Sequence, residues 1–207
     1  MRLQIGFMAS GGGTNMQAII DACRAGRLDG DPRAVISNLS KSGALERARQ
    51  EGIPAYHLSS RTHPDPDELD RAILEALTDN EVDVICLVGY LKLMGPRTIG
   101  AYRGRILNIH PALLPRHGGQ GFYGHHVHEA VLAAGDQVSG PTVHLVDERY
   151  DEGPVLRQIE VPVLPDDTPD TLAARVLVQE HRLFPETLQA IATGEIQLDG
   201  LGGEGPI

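Results

Sequence analysis

The fold is decided at the start of the chain, by the stretch Leu3-Gln4-Ile5-Gly6-Phe7-Met8-Ala9-Ser10-Gly11-Gly12-Gly13-Thr14-Asn15. Its apolar first part predicts a strand over Leu3–Met8. The glycines that follow allow a tight turn, and we expect a helix over Thr14–Arg24, because apolar side chains recur there at helical spacing. A strand, a glycine turn and a helix in this order are typical of α/β proteins.

Strand and helix patterns alternate through the first half of the chain. The run Val82–Val88 is nearly all apolar, as expected of a central parallel strand that is covered on both faces. The repeated strand–helix–strand units predict a doubly wound, mostly parallel α/β sheet with right-handed crossovers. The further predicted strands are Ala34–Ser37, Ala55–Leu58 and Ile106–Ile109, and the further predicted helices are Gly43–Gln50, Glu68–Leu77 and Arg97–Ala101.

The second half of the chain predicts an antiparallel addition to this sheet. A helix is expected over Val127–Ala134, and the runs Thr142–Val146 and Val155–Val161 are expected to pair as antiparallel strands. The dipeptide Thr168-Pro169 has the residues of a helix N-cap and first turn, and it predicts a long helix that ends near Ala192.

We therefore expect one domain over residues 1–193, followed by a glycine-rich, poorly ordered tail over residues 194–207. The start of the chain runs straight into a strand pattern, so we expect no signal peptide. No apolar run approaches the length that spans a membrane, and we expect a cytoplasmic protein.

The composition narrows the classes of partner. The chain has 18 basic and 28 acidic side chains, which give a net charge of −10. This charge disfavours nucleic acid or an anionic membrane as the main partner. Cys23 and Cys86 are far apart in apolar contexts, so we expect buried free thiols rather than a disulfide or a metal site.

The turn Ser10-Gly11-Gly12-Gly13-Thr14-Asn15 is a candidate phosphate site. A helix N-terminus offers unpaired N–H groups and a positive dipole, which suit a phosphate. Met16 stands where a dinucleotide fingerprint has its third glycine, and the second strand ends in Ser37-Asn38 rather than in an acid. A mononucleotide or sugar phosphate therefore fits better than NAD. A plain turn capped by Thr14 or Asn15 is the alternative.

The run Asn108-Ile109-His110-Pro111 is the candidate catalytic segment. Asn108 and His110 are two apart on a predicted strand, so both side chains leave the same face. Pro111 ends the strand and places the pair at its carboxyl tip, where open α/β sheets bind ligands. An amide donor beside an imidazole suits acyl transfer, which needs oxyanion stabilisation and proton movement. A polar pair that caps a loop is the alternative.

Acidic residues crowd the turn before Gly153-Pro154. Most side chains of such turns are solvated, and we expect this of at least three of the four. Asp151 is the one that we expect beside His110, where a carboxylate would stabilise the imidazolium and raise its pKa. The four residues are Asp147, Glu148, Asp151 and Glu152.

Glu180 falls within an apolar stripe of the long predicted helix. A carboxylate on a core-facing stripe needs a partner or a ligand, and an ion pair with an arginine is the alternative to a ligand. The stripe consists of Ala173, Val176, Phe184 and Ile191.

Histidines are frequent after the glycine-rich loop of residues 116–124. His125, His126 and His128 have no acid or cysteine at convincing ligand spacing, so we expect no metal. His144 lies on a predicted strand, and we expect it to be a packed, hydrogen-bonded core histidine.

Together these motifs resemble the family of folate-dependent phosphoribosylglycinamide formyltransferases. The resemblance covers roughly residues 1–193. The segment Asn108–Pro115 is typical of formyltransferases and hydrolases that use 10-formyltetrahydrofolate, and the turn Ser10–Asn15 narrows the resemblance to the glycinamide ribonucleotide branch. Gly140–Val146 and Asp151-x-Gly153 complete it.

The resemblance implies a Rossmann-like formyltransferase fold and a reaction of de novo purine biosynthesis. The formyl group of 10-formyltetrahydrofolate, a co-substrate, would pass to the amino group of glycinamide ribonucleotide, with no metal. We expect a monomer or a weak homodimer.

The resemblance also implies roles for individual residues. Asn108, His110 and Asp151 would be catalytic. Glu180, in the match Gln179-Glu180-His181, would bind the ribose or the glycinamide end. The substrate phosphate would be held by Gly11, Gly12, Gly13, Thr14 and Asn15, and the folate by Tyr90, Leu91, Lys92, Leu93 and Met94 on one side and Val146 and Asp147 on the other.

Three alternatives stay open. A formyltetrahydrofolate hydrolase would use water in place of the amine, but such hydrolases usually carry an extra amino-terminal domain. A methionyl-tRNA formyltransferase would need a further tRNA-binding domain and a basic surface. A non-catalytic sugar-phosphate or nucleotide sensor would leave the three catalytic candidates more than ~10 Å apart. The stretch Gly118–Gly124 is longer than in the best-known members, which leaves the roles of this loop, His125 and His126 open.

Overall fold

A seven-stranded sheet forms the centre of the molecule. The structure is a computed structural model that describes residues 2–147, 149–198 and 200. Its strands are β1 (Leu3–Ala9), β2 (Gly30–Ser37), β3 (Ala55–His57), β4 (Val84–Leu87), β5 (Ile106–His110), β6 (Val138–Ser139), β7 (Thr142–Leu145), β8 (Val155–Gln158) and β9 (Val161–Pro162). Its helices are α1 (Thr14–Arg24), α2 (Gly43–Gln50), α3 (Pro66–Asp79), α4 (Pro96–Ala101), α5 (His125–Ala133) and α6 (Pro169–Ala192).

The strand order is β3-β2-β1-β4-β5-β7-β8. The first five strands in this order run parallel, whereas β7 is antiparallel to β5 and β8 is antiparallel to β7. This confirms the predicted doubly wound, mostly parallel sheet with an antiparallel addition. The order reverses between β1 and β4, and the crevice at the carboxyl ends beside such a reversal is the usual ligand site of open α/β sheets.

Helices cover both faces of the sheet, as the apolar central strands predict. Phe7 belongs to the core cluster that includes Phe184 of α6, while its neighbour Met8 belongs to the opposite cluster with Leu77 of α3. The same alternation holds on β5: Leu107 and Ile109 lie in the first cluster, so Asn108 and His110 leave the opposite face.

Local sequence features such as capping residues predict the bounds of several helices. The bounds of α1, α2 and α6 agree with the predicted ones, and Ser42 and Thr168 cap α2 and α6 through their side chains. β2 begins four residues earlier than predicted, at Gly30. Its register with β1 shifts near Pro32, which has no N–H to donate to the ladder.

One predicted strand, Val155–Val161, is wrong as a single element. Residues Val155–Gln158 pair with β7, whereas β9 leaves the sheet and pairs with the short strand β6. The change occurs where two segments cross closely, because a Cβ on Gly140 would lie 1.8 Å from the carbonyl oxygen of Ile159.

Part of the predicted tail, Asp199 and residues 201–207, lies outside the described residues. The poor order expected there stays a prediction. No helix of the described ranges is long and apolar enough to cross a membrane.

Candidate active site

The glycine turn after β1 leaves the N-terminus of α1 without a side-chain cap. Gly13 is the N-cap residue, with a φ of 75°, and a Cβ there would lie 2.8 Å from the Cα of Ala44. Only glycine therefore fits this position without strain. The alternative of a turn capped by Thr14 or Asn15 is not what the structure shows, and the first N–H groups of α1 stay available to an anion.

α2 holds this turn in place. The carbonyl oxygen of Gly11 accepts a hydrogen bond from the N–H of Ala44, and that of Gly12 accepts one from Nε of Arg47 at 2.9 Å. Gly11, Gly12 and Thr14 are exposed. The predicted phosphate site is thus an exposed turn whose backbone is held by hydrogen bonds from α2.

Glu180 is buried, with 7% exposure, as its position in the apolar stripe of α6 predicts. Its partner is an amide rather than an arginine: Nδ2 of Asn15 donates a hydrogen bond to Oε2 at 2.7 Å. Burial raises the pKa of Glu180, and the hydrogen bond from Asn15 opposes that rise.

Two polar atoms near this pair have no partner among the described residues. They are the buried Oδ1 of Asn15 and the buried Nε2 of His181. Burial lowers the pKa of His181. Because buried polar atoms are normally hydrogen-bonded, both atoms are unusual.

Asn108, His110 and Asp151 meet at the tip of β5. Nδ1 of His110 lies 3.6 Å from Oδ2 of Asp151, and Nδ2 of Asn108 lies 3.5 Å from Oδ1 of the same carboxylate. Both distances are far below the roughly 10 Å separation that would have favoured a sensor without catalysis. The acidic turn before β8 therefore contributes Asp151 to the site; Glu148 lies outside the described residues.

The pKa of His110 is set mainly by burial. Burial lowers the pKa of this imidazole and outweighs both the charge of Asp151 and the hydrogen bond to His117, which act to raise it. Asp151 thus acts to raise the pKa of His110, as expected, but burial sets the net direction, which the sequence did not indicate. The site is more closed than the sequence indicated, with His110 only 3% exposed.

Asp151 is held as a carboxylate. Burial acts to raise its pKa, but the charge of His110 and the hydrogen bond from the N–H of Gly119 help to bring the pKa below its usual value. The Gly119 N–H lies 3.0 Å from Oδ2. Asp151 itself has a φ of 55°, an uncommon value for a residue other than glycine.

His144 is a site residue whose place sequence reasoning missed. It is packed and hydrogen-bonded as predicted, but it lies opposite Asn108 in the β5–β7 ladder. Its Nδ1 donates to the carbonyl oxygen of Leu145 at 2.8 Å, so its Nε2 is an acceptor for Asn108 Nδ2 at 3.0 Å. A prediction of the β5–β7 register would have placed His144 opposite Asn108 and so in the site.

The predicted folate segment follows β4 and is joined to the glycine turn. The N–H of Leu91 donates to Oγ of Ser10 at 2.9 Å. Tyr90 packs in the same cluster as Val146, so the two predicted walls of the pterin site lie on one face of the sheet. Burial raises the pKa of Tyr90 to about 12.

A cavity of about 480 Å³ lies beside this segment and includes Tyr90, Lys92, Leu93 and Met94 in its lining. The side chain of Leu91 is exposed, as is that of Leu93. Neither Val146 nor Asp147 lines this cavity, and it does not reach the catalytic candidates.

The histidines after the glycine-rich loop differ in their burial and in their partners. Within residues 2–147, 149–198 and 200, no group of three His, Cys, Asp or Glu side chains could hold a metal ion. His125 and His126 are exposed and lie within 4 Å of carboxylates, Glu129 and Asp170 for the first and Glu129 for the second. His128 is buried, and burial lowers its pKa to about 4.

The fold and the site together define the class of protein. The chain belongs to the formyl transferase family, whose match covers residues 3–188. The resemblance found in the sequence is therefore confirmed.

Similar proteins carry names that are more specific than this class. A chloroplastic phosphoribosylglycinamide formyltransferase from Vigna unguiculata is 43% identical over 196 residues, which are 94% of this chain and 62% of that protein. The phosphoribosylglycinamide formyltransferase of Escherichia coli (strain K12) is 38% identical over 196 residues, 95% of this chain and 90% of that protein. The crystal structure of glycinamide ribonucleotide transformylase 1 from Symbiobacterium toebii superimposes with a TM-score of 0.89 at 41% identity, over 96% of this chain and 92% of that one.

Proposed function

We propose that this chain transfers the formyl group of 10-formyltetrahydrofolate to the amino group of glycinamide ribonucleotide, in de novo purine biosynthesis. The observation that carries the proposal is the convergence of Asn108, His110 and Asp151 at the tip of β5. The names of the relatives support it, as does the uncapped glycine turn on the same edge of the sheet.

The ribonucleotide would bind through its phosphate at Gly11–Asn15. Its charge suits the N–H groups and the positive end of α1, in a protein whose overall charge is negative. The buried carboxylate of Glu180 would accept hydrogen bonds from the ribose or from the glycinamide end.

The folate would lie against Tyr90–Met94, with Val146 and Asp147 as the opposite wall. Main-chain groups of such a segment can pair with a pterin edge, while the exposed Leu91 and Leu93 side chains offer apolar surface that a bound ring would cover.

The chemical step would be a direct attack by the amine. The amine nitrogen bonds to the formyl carbon and gives a tetrahedral intermediate, after which the bond from that carbon to the folate nitrogen breaks. The amine proton ends on the leaving folate nitrogen, by way of water and Asp151. The nucleophile is supplied by the substrate, so no covalent enzyme intermediate is needed.

Asn108 and protonated His110 would donate hydrogen bonds to the oxyanion of this intermediate. The Nε2–H of His110 already points to the carbonyl oxygen of His117 at 2.8 Å, which leaves Nδ1–H as its free donor. Asp151, 3.6 Å from Nδ1, would stabilise the imidazolium. One such oxyanion donor is typically worth roughly 10²–10³ in turnover.

The test mixes purified protein with 10-formyltetrahydrofolate, with and without glycinamide ribonucleotide, and follows deformylated folate by absorbance. Turnover that requires the ribonucleotide and is lost in His110→Ala supports the transferase. Turnover without the ribonucleotide would indicate a hydrolase instead. Ribonucleotide binding with no turnover would indicate a sensor.

Two further expectations stay predictions. They are a cytoplasmic location and a monomeric or weakly dimeric state. Two of the plant relatives carry the word chloroplastic in their names.

A further inference from the structure

The imidazole of His110 is oriented from the side opposite Asp151 by a backbone carbonyl. Its Nε2 lies 2.8 Å from the carbonyl oxygen of His117. Because a carbonyl oxygen can only accept, Nε2 must carry a hydrogen. The nitrogen of His110 that gains and loses a proton is then Nδ1, which faces Asp151.

His117 owes its position to a buried carboxylate. Its Nε2 lies 2.6 Å from Oδ2 of Asp136, and the two side chains are only 13% and 9% exposed. The ring of Phe122 meets the His117 ring edge-on, with centroids 6.3 Å apart. The backbone of His117 is left-handed, with a φ of 54°, so the chain needs side-chain contacts to keep it there.

Asp136 is in turn anchored to helix α5 by its backbone. Its N–H donates to the carbonyl oxygen of Val131, a core residue of α5. Its second carboxylate oxygen lies 2.6 Å from Nη2 of Arg116, whose side chain is mostly exposed. The contacts thus run from α5 through Asp136 and His117 to His110.

We propose that Asp136 is a positioning residue for the catalytic histidine: through the His117 side chain it holds the His117 carbonyl against Nε2 of His110 and so fixes the tautomer and orientation of that ring. This inference rests on the proposed formyl transfer for its kinetic consequence. The tautomer itself does not depend on which reaction the site carries out.

Other titratable groups also face His110. Asp151 lies on one side, His144 projects from β7, and His117 comes from the loop after β5. His128 of α5 is close enough for its own pKa to be affected by His110. Two of these groups compete for the single hydrogen of the neutral ring, because the His117 carbonyl and the Asp151 carboxylate both only accept. The His117 carbonyl lies closer, at 2.8 Å from Nε2 against 3.6 Å from Nδ1 to Asp151, so it favours the Nε2–H form.

The test measures the tautomer of His110 directly, by ¹⁵N NMR of the full chain labelled at histidine. The His110 signals are identified by their loss in His110→Ala. At about pH 8, above the ordinary pKa of histidine, the wild type is expected to show neutral His110 as the Nε2–H form. Asp136→Ala is expected to give a mixture of the two tautomers.

The variants that lose the Nε2–H tautomer of His110 should also lose activity. Asp136→Ala is expected to lower kcat by roughly 10- to 100-fold, because a misplaced catalytic group costs about that much, with KM for both substrates nearly unchanged. Asp136→Asn keeps an oxygen acceptor for Nε2 of His117 and should restore most of the activity. Arg116→Ala, which removes the exposed partner of Asp136, is the matched control and should behave as wild type.

His117→Phe keeps the ring contact with Phe122 but removes the hydrogen bond to Asp136, so it should reproduce the effects of Asp136→Ala. The two changes should not add in the double variant. The proposal is overturned if both single variants keep the Nε2–H tautomer of His110, whether or not their activity changes. A wild type that transfers no formyl group would overturn the proposed function, while the tautomer measurement would still decide the role of Asp136.

Discussion

Asn108 directs its two amide hydrogens at different acceptors. One faces Nε2 of His144 at 3.0 Å, and the contact to Asp151 at 3.5 Å is at the outer limit of a hydrogen bond. The second hydrogen is therefore the one that could turn to a developing oxyanion without a large loss. The ladder partner His144 keeps the amide oriented while this happens.

The change Asn108→Ala should lower kcat by roughly 10²–10³, the usual cost of one oxyanion donor. KM for both substrates should change little, because the lost interaction strengthens only in the transition state. Steady-state kinetics measure both values, and circular dichroism checks that the fold is kept. Near-normal turnover would remove Asn108 from the mechanism.

Asp151→Asn should slow the chemistry by at least about 10²-fold and leave substrate binding largely intact, since an amide oxygen can still accept from the N–H of Gly119. The Asp151 carboxylate acts to raise the pKa of His110, so its removal should lower that pKa further. The limb of the pH–kcat profile on which His110 loses its proton should then move to lower pH. A loss of affinity with normal kcat would contradict the assigned role.

At the level of elements, α1 and α6 are joined at the candidate substrate site by the hydrogen bond from Asn15 to Glu180. Glu180→Gln keeps an oxygen that accepts from Asn15 but removes the charge. KM for the ribonucleotide should rise roughly ten- to hundredfold, the value of one charge-assisted hydrogen bond, with a smaller change in kcat.

The same substitution should raise stability. The pKa of Glu180 is raised by burial, so the folded state binds its proton more tightly than the unfolded state does. Above that pKa the folded protein holds a costly buried charge, which glutamine removes. Urea unfolding at neutral pH should show a higher free energy of unfolding for Glu180→Gln. Equal binding and lower stability would argue that Glu180 has a structural role only.

Elements set by local signals could be predicted, and those set by distant contacts could not. The caps Ser42 and Thr168 lie next to the helices that they begin, and the apolar pattern locates β4. The split of Val155–Val161 into β8 and β9 depends on the close crossing of Gly140 and Ile159, which no local pattern records.

The residues of the candidate site also fall into those that local sequence patterns predict and those that depend on distant contacts. Asn108 and His110 follow from strand periodicity, and Asp151 from its place in an acidic turn and from the family resemblance. His144 requires the register of β5 and β7, and the contact of His110 with His117 runs to a backbone atom, which has no signature in the sequence. The sign of the pKa shift of His110 could not be predicted either, because it depends on how deeply the fold buries the imidazole.

At the scale of the whole molecule, buried histidines make stability depend on pH. His128 is 5% exposed, its Nδ1 has no hydrogen-bond partner among the described residues, and its pKa is about 4. Between about pH 6.5 and 4 the unfolded chain binds a proton at this residue that the folded chain does not. Lowering the pH through this range therefore stabilises the unfolded state.

The free energy of unfolding should accordingly fall from pH 6.5 to pH 4, by up to about 3 kcal/mol from His128 alone. His128→Gln should flatten this dependence. His126→Gln, on the same helix but with a 62% exposed side chain, is the control and should keep the wild-type dependence. Parallel curves for wild type and His128→Gln would show that His128 contributes no such linkage.

The most direct test of the central claim follows the formyl group itself. Wild-type protein is mixed with folate that carries a ¹³C-labelled 10-formyl group and with glycinamide ribonucleotide, and the products are identified by mass spectrometry. We predict one labelled formyl group on the ribonucleotide amine for each folate deformylated, and none with His110→Ala. Labelled formate in place of the formylated ribonucleotide would contradict the account.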